Sequence, residues 1–493
     1  MNKNRAKALI TLIFIIILLS PPSFVMGTYG KTENEKNYGL EMKPREGDFS
    51  ILYPRCSDPA IVEKGAEFDI IIEKCNFSQV MAKIETAYEK VVDKIYLDVM
   101  GYEKGDEVVV HVEVPKNTPQ ELYNLTVIIK NGDYYSKTQP RAVSVVDKID
   151  GNFTFVHLTD FHIGDIRGFK ENVRETIGWK AAKKCVEEIN LLHPDFAVIT
   201  GDVVFGQLYP FEYSVEYPEF YRILQTFDVP TFLCPGNHDG YVQTFQDGFT
   251  LWQKYFGSLY YSFDYGKSHF VMANSYDWPW ISRFGISYLV FNWGGYIGEE
   301  QMSWIENDLK ESDAEMKIIA LHHNPLWDTR NDSLLHNGYV GREKLLSVIG
   351  EYGVDAILDG HVHYDDVTIN NGTIYITTTT AASSLGSDDA YWGYRLIEVK
   401  NYTIYSYNYK EPKFSIPSYR LNISHESDFR VNVENNLDMD MDVHLKFVIP
   451  SGRDYTINGG ILEMERKGDE NMEIYVLSHM KKHTEKEIYV ELL

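Results

Sequence analysis

Cysteine is scarce in this chain: four residues in 493, with no Cys-x-x-Cys pair. That argues against a thiolate metal site as the organising chemistry. Cys56 and Cys75 in the N-terminal third are the two that an oxidising compartment could join. Cys185 shares the apolar face of a helical pattern with Val173, Ile177, Ala181 and Ile189, and Cys234 ends an apolar run. Both read as small core fillers. Positive charge is also short, with 47 basic against 72 acidic residues and a net charge of −25. A surface of that sign repels polyanions, so a nucleic-acid scaffold is not expected as partner. Long apolar runs are nearly missing. The one at Ala8–Leu19 is shorter than the roughly 20 residues that span a bilayer. No second run of spanning length and no hydrophobic C-terminal tail is found.

That single run has a telling context. Lys3, Arg5 and Lys7 precede it, and Ser20-Pro21-Pro22-Ser23 breaks it. This is the layout of a secretory signal. Residues 1–27 are expected to be that signal, cut near Gly27, and the polar stretch 28–45 a linker. The expected location is outside the cell or on the outer face of its membrane. An uncleaved N-terminus would act as a membrane tether. Seven Asn-x-Ser/Thr sequons agree with export: Asn76, Asn124, Asn152, Asn331, Asn371, Asn401 and Asn422.

Residues 46–150 read mostly as strands, among them 68–73, 94–99, 107–114 and 122–130, with Asn131-Gly132 as a turn. The spacing predicts a small β-sandwich, with a competing helical pattern at 80–92. From Phe153 short apolar runs alternate with helical stretches, which predicts an α/β domain over 151–411. Residues 412–493 again read as strands and predict a second small β domain.

Five polar motifs follow five apolar runs of the central part. They are Asp160-Phe161-His162, Gly201-Asp202, Gly236-Asn237-His238-Asp239, His322-His323 and Gly360-His361-Val362-His363. Residues just beyond strand ends can converge although distant in sequence. Asp, Asn and His supply oxygen and imidazole donors, which suit Mn, Fe, Zn, Ni or Co. Asp-x-His and His-x-His project two donors to one side where the backbone is extended. Seven donors exceed the needs of one ion with an open position and fit two ions sharing the Asp202 carboxylate. Two dications against two carboxylates leave about +2 for a phosphate anion, and ions roughly 3.5–4 Å apart can activate a water.

In this order the five motifs resemble the signature blocks of the calcineurin-like metallophosphoesterases, over roughly residues 153–410. Gln301, Trp304 and Val354-Asp355 are supporting matches. The resemblance implies a β-sandwich flanked by helices. It implies one divalent ion on Asp160, His162, Asp202 and His363, and another on Asp202, Asn237, His322 and His361. His238 would be the catalytic histidine. The implied reaction is attack of metal-bound hydroxide on a phosphomonoester or phosphodiester. Phe205 stands where purple acid phosphatases carry a ligand tyrosine, so the chain does not resemble that branch. Some members place an acid or histidine there to partner the catalytic histidine, and adjacent Asp239 is the candidate for that part. His323 is expected near substrate or behind a ligand.

Plainer readings apply elsewhere. His193, His336 and His425 lack such context and read as structural. Asp365-Asp366 reads as a solvated turn. Trp327 reads equally as cleft lining or packing. The aromatic stretch 276–296, with Trp278, Trp280 and Trp293, could form a cap over the site or merely cover a sheet edge. The rival functional class is a cell-surface binding or scaffold protein with a quiet phosphoesterase-like domain.

Overall fold

The computed structural model describes residues 44–86, 94–165, 172–207, 211–243, 246–289, 294–327, 339–382, 392–410 and 413–493. The expected signal, most of the linker, Asn331, His336 and Trp293 lie outside the described residues.

Two six-stranded sheets face each other in the centre. In the first, Phe153–Leu158 pairs in parallel with Phe196–Thr200, which pairs in parallel with Thr231–Cys234. Gly393–Lys400 joins antiparallel on the other side. In the second, Ser268–Met272, Met316–Ala320, Ala356–Asp359 and Thr373–Thr377 run parallel. The hairpin partners Tyr261–Tyr265 and Asp366–Asn370 close its edges.

Residue alternation explains the layering. Phe153, Phe155, Phe196, Val198 and Phe232 of one sheet meet Phe270, Met272, Ile318, Ala320 and Leu358 of the other in a buried core. The rings of Phe155 and Phe270 meet edge-on with centroids 5.6 Å apart. The intervening residues Val156, Leu158, Ala197 and Ile199 point outward to Ile177–Leu192, Tyr213–Leu224 and Gly248–Phe256. On the far side Ile319, Leu321 and Ile357 pack under Glu299–Glu311 and Arg342–Glu351. The central part is thus helix, sheet, sheet, helix. All five motifs lie at the C-terminal ends of parallel strands.

The flanks are strand-built. Residues 45–146 supply a nine-stranded sheet with its own apolar core. Ile95–Lys104 joins its two parts, pairing through residues 98–104 with Glu107–Glu113 and through residues 95–97 with Gln79–Thr86. Gln79–Thr86 also replaces the helical alternative over its length. Arg45–Glu46 already pairs with residues 135–136, so ordered pairing begins inside the expected linker. Residues 421–492 form a four-stranded and a three-stranded sheet. Their apolar residues Val433, Leu445, Phe447 and Ile474 continue the core under Ile177–Leu192. The flanks touch each other where buried Arg466 pairs with Glu121 and, at 3.1 Å, with Glu473.

Cys56, Cys75, Cys185 and Cys234 are free thiols. Asp365 corrects the solvated-turn reading. Its buried carboxylate lies 3.0 Å from the Arg395 guanidinium and accepts from the Thr379 and Ser415 amides. No helix among the described residues is long and apolar enough to cross a membrane.

Candidate metal centre

The strand ends bring the predicted donors together. Asp160 Oδ1 lies 3.0 Å from His363 Nε2, 3.4 Å from His162 Nε2 and 4.0 Å from His322 Nε2. Asp202 Oδ2 lies 3.1 Å from His322 Nε2 and 3.7 Å from His162 Nε2. One Asp202 oxygen therefore sits between imidazoles that come from different motifs. The rings of His322 and His361 are 5.1 Å apart. Asp160, Asp202, Asn237 and His322 are at most 1% exposed.

The backbone differs from expectation. Asp160, His162, Asp202, His361 and His363 have φ of 56°, 46°, 50°, 70° and 60°. The Asp-x-His and His-x-His pairs are thus set by left-handed residues, not by extended chain. Such φ values are uncommon for residues with a Cβ and need support from their surroundings. That support is visible. The Asp160 and His162 amides donate to the Gly201 and Asp202 carbonyls, at 3.0 and 2.9 Å. The His361 amide donates to Asp160 Oδ2 at 2.9 Å, and the His238 amide to Asp202 Oδ1 at 2.8 Å. Gly236 and Gly360 allow the close approach. A Cβ at Gly236 would sit 2.2 Å from Asp202 Oδ1, and one at Gly360 would sit 2.6 Å from Asp160 Oδ2.

The donor atoms are aimed by their other contacts. His322 Nδ1 donates to the Thr200 carbonyl at 2.7 Å, which turns Nε2 toward Asp202. Asn237 Nδ2 donates to the Tyr241 hydroxyl at 2.7 Å, which leaves Oδ1 facing the other way. Among the described residues, His322 Nε2, Asn237 Oδ1 and His162 Nδ1 are buried without a hydrogen-bond partner. Orphaned buried polar atoms of this kind are costly unless a bound group completes them. Behind them, Ser275 Oγ accepts from the His322 and His323 amides and contacts His323 Nδ1 at 2.8 Å. Gln301 holds that loop by accepting from the Asn274 amide and donating to its carbonyl. Ser275 was not singled out in the sequence, and no short motif marks it.

The electrostatics agree. Burial opposes ionisation of Asp160, yet His363 and His322 hold its carboxyl well below the usual range. Asp202 is likewise held low against burial by His322 and His238. Burial alone would lower His322, but Asp202 and Asp160 push it up to about 10. His361, dominated by burial and next by His322, falls to about 3. Two fixed carboxylates that hold protons on neighbouring imidazoles form a site that demands positive charge.

His238, His323 and Asp239 take distinct places. A His238 ring nitrogen lies within 4.8 Å of the Asp202 and His162 donors. Its Nδ1 lies 2.5 Å from the Phe205 carbonyl. Asp239 is not its partner. The Asp239 carboxylate accepts from the Val203, Val204 and Gly236 amides and so ties the second motif to the third. Burial, then Asp202, raises Asp239 to about 7. His323 packs against His361, with ring centroids 4.4 Å apart, and groups with His322 and His361. Of the doublet, it is His322 that lies 3.1 Å from Asp202. Trp327 lies beside His361, 5.9 Å between ring centres, which puts it on the cleft.

Residues 153–365 match the family model of calcineurin-like phosphoesterases. This chain carries a calcineurin-like phosphoesterase domain. A probable glycerophosphodiester phosphodiesterase, GpdQ, of Arcobacter nitrofigilis is 27% identical over 214 residues, covering 42% of this chain and 72% of its own length. A probable cyclic nucleotide phosphodiesterase of Vesicomyosocius okutanii is 26% identical over 217 residues, covering 43% and 79%. Among solved structures, a purple acid phosphatase from yellow lupin seeds aligns with TM-score 0.41 and 14% identity, covering 75% of this chain and 69% of that one. The calcineurin-like phosphoesterase of this chain is a metal-dependent hydrolase of phosphoesters. Its His/Asp clusters fit a binuclear divalent metal centre.

Proposed function

We propose that the protein is an exported phosphoesterase that works with two divalent ions and prefers phosphodiesters. Asp160, His162, Asp202 and His363 would hold one ion, and Asp202, Asn237, His322 and His361 the other. The observation that carries this reading is the meeting of Asp202 Oδ2 with His162 and His322 beside buried polar atoms that lack a partner among the described residues. When bound, the ions would supply a nucleophilic water and neutralise phosphate charge.

The protein's own residues do the rest. The left-handed motif backbones hold the donors in place before substrate arrives, so little reorganisation is needed on binding. Phe205 accepts the Nδ1 proton of His238 and so presents Nε2 as the free ring nitrogen. Burial lowers His238 to about 4. An arriving phosphate anion favours the imidazolium, which can then donate Nε2–H to a phosphate oxygen or the leaving group. Trp327 and His323 border the side where the ester group would lie.

The diester preference rests on the phosphodiesterase names of the two relatives that the match covers to 72% and 79% of their own lengths. Export rests on the N-terminal sequence pattern and on the exposure of Asn76, Asn152, Asn371 and Asn401. The test is hydrolysis of bis(4-nitrophenyl) phosphate and 4-nitrophenyl phosphate with Mn or Ni added. Chelation should abolish both reactions, and the diester should have the higher kcat/KM. Activity unchanged after complete metal removal would end the proposal. Faster monoester turnover would overturn the diester preference alone.

A further inference from the structure

Behind the metal centre sits a buried acid that the metal assignment does not use. Glu216, in the helix Tyr213–Leu224, has no exposed surface. Its Oε2 accepts from the Gly206 amide at 2.9 Å. Its Oε1 has no hydrogen-bond partner among the described residues. Burial, reinforced by Glu212, raises its pKa well above the carboxylate range. A buried acid with one oxygen unbonded costs stability compared with an apolar residue of like volume. Its presence therefore calls for a role other than packing.

Its surroundings supply one. Glu216 lies between the loops that follow the first two motifs. A Cβ at Gly164, two residues past His162, would sit 1.6 Å from Glu216 Oε1. Gly164 has φ of +102°, and Gly206 has φ of +57°. The Gly206 carbonyl is held separately by Gln243 Nε2, and the Phe205 amide donates to the Ile163 carbonyl at 2.8 Å. Glu216 completes the fixing of the Phe205–Gly206 peptide by taking its amide hydrogen. The carbonyl of Phe205 belongs to that same peptide group and meets His238 Nδ1 at 2.5 Å. Turning this peptide would break both bonds at once, because its C=O and N–H point in opposite directions across one rigid plane.

We propose that Glu216 is a positioning residue: it locks the Phe205–Gly206 peptide so that the Phe205 carbonyl fixes the tautomer and orientation of His238. Phe205 has no polar side chain to orient this histidine, and its peptide carbonyl takes that part with Glu216 as its anchor. The proposal rests on the reading of His238 as the residue that assists phosphoester cleavage.

The experiment compares Glu216→Gln, Glu216→Ala and His238→Ala in the full chain, loaded with Mn for kinetics and with diamagnetic Zn for the resonances. It reads kcat, KM, bound metal per chain and the imidazole resonances of ¹⁵N-histidine-labelled protein. Gln keeps a neutral acceptor and should stay within about threefold of wild type in kcat. Ala should lower kcat at least tenfold, with KM within about threefold and metal content unchanged. It should also shift the downfield Nδ1–H resonance that His238→Ala removes. Should Ala not fold, Glu216→Met takes its place as an acceptor-free side chain of similar length. Wild-type kcat and an unmoved resonance in the acceptor-free variant would overturn the proposal. Equal losses in Gln and Ala would overturn it too, since the acceptor would then not be what matters. Full activity of His238→Ala would instead remove the reading of His238, while the resonance still reports whether Glu216 fixes the ring.

Discussion

At the scale of single residues, the centre depends on atoms that have nothing else to do. Asp202 is the sharpest case, because one of its oxygens faces two imidazoles and the other accepts from the His238 amide. Asp202→Asn replaces an anion by a neutral amide whose NH₂ would repel the shared ion. It should lower kcat/KM at least a hundredfold while leaving the fold intact, and bound metal should fall from two ions toward one. Metal analysis with circular dichroism on the purified variant checks this, and a variant with two ions and full activity would refute the shared-ligand role. That these Asp, Asn and His side chains gather at one rim was legible in the sequence because they stood just past apolar runs. The left-handed backbones of Asp160, His162, Asp202, His361 and His363 were not legible. Residues with side chains adopt φ near 50–70° only when neighbours impose it, and those neighbours come from other motifs. The partner of His238 was illegible for the same reason: a main-chain carbonyl leaves no mark in a sequence.

At the scale of elements, each strand end must come close enough for its motif to interlock with the next. Gly360 lets this happen between the first and last motifs. A Cβ there would lie 2.0 Å from Thr159 Oγ1 and 2.6 Å from Asp160 Oδ2. Gly360→Ala should push Asp160 off its bond to the His361 amide and weaken metal binding by roughly 10–100-fold, the usual cost of disturbing what supports a ligand. Titration of the apo protein with Mn would show it, and an unchanged affinity would count against the close approach. The aromatic stretch raises a second question at this scale. Trp280–Leu289 is a helix whose Arg283 bonds the Gly240 carbonyl at 2.6 Å and pairs with Asp247, so it braces the loop after His238. Trp278 is fixed by its indole bond to the Gly294 carbonyl and by stacking on Tyr296. Trp280 is 51% exposed and stacks on Phe284. If this helix caps bound substrate, Trp280→Ala should change the ratio of kcat/KM for large over small diesters several-fold while leaving 4-nitrophenyl phosphate unaffected. An unchanged ratio would leave it as cover for the sheet edge. Most elements of the central part were legible from apolar periodicity. The hairpin Tyr261–Tyr265 with Ser268–Met272 goes unassigned from sequence, because its first strand is only half buried and lacks a clean alternation.

At the scale of the whole molecule, charge pairs outside the site set how stability responds to pH. His269 gives a case with a definite sign. Its Nδ1 lies 2.7 Å from Asp264 Oδ1 and its Nε2 3.0 Å from Asp308 Oδ2. Burial would lower this histidine, but the two carboxylates push it up to about 9. The unfolded chain has an ordinary histidine near 6.5. A group whose pKa is raised by folding stabilises fully below the unfolded value, and that contribution is lost as pH climbs through the folded value. Between about pH 6 and 10, wild type should therefore lose on the order of 2 kcal/mol through this residue. That figure is already discounted because Asp264 is 70% exposed and its pairing is screened. His269→Gln keeps hydrogen-bonding capacity but cannot ionise. It should be less stable than wild type at pH 6 and nearly equal to it at pH 10. Urea unfolding of both proteins at pH 6, 8 and 10 isolates the residue, because every other titrating group is common to the two. Parallel stability curves would mean that folding leaves the His269 pKa at its unfolded value and that its carboxylate neighbours add no net stabilisation of the imidazolium.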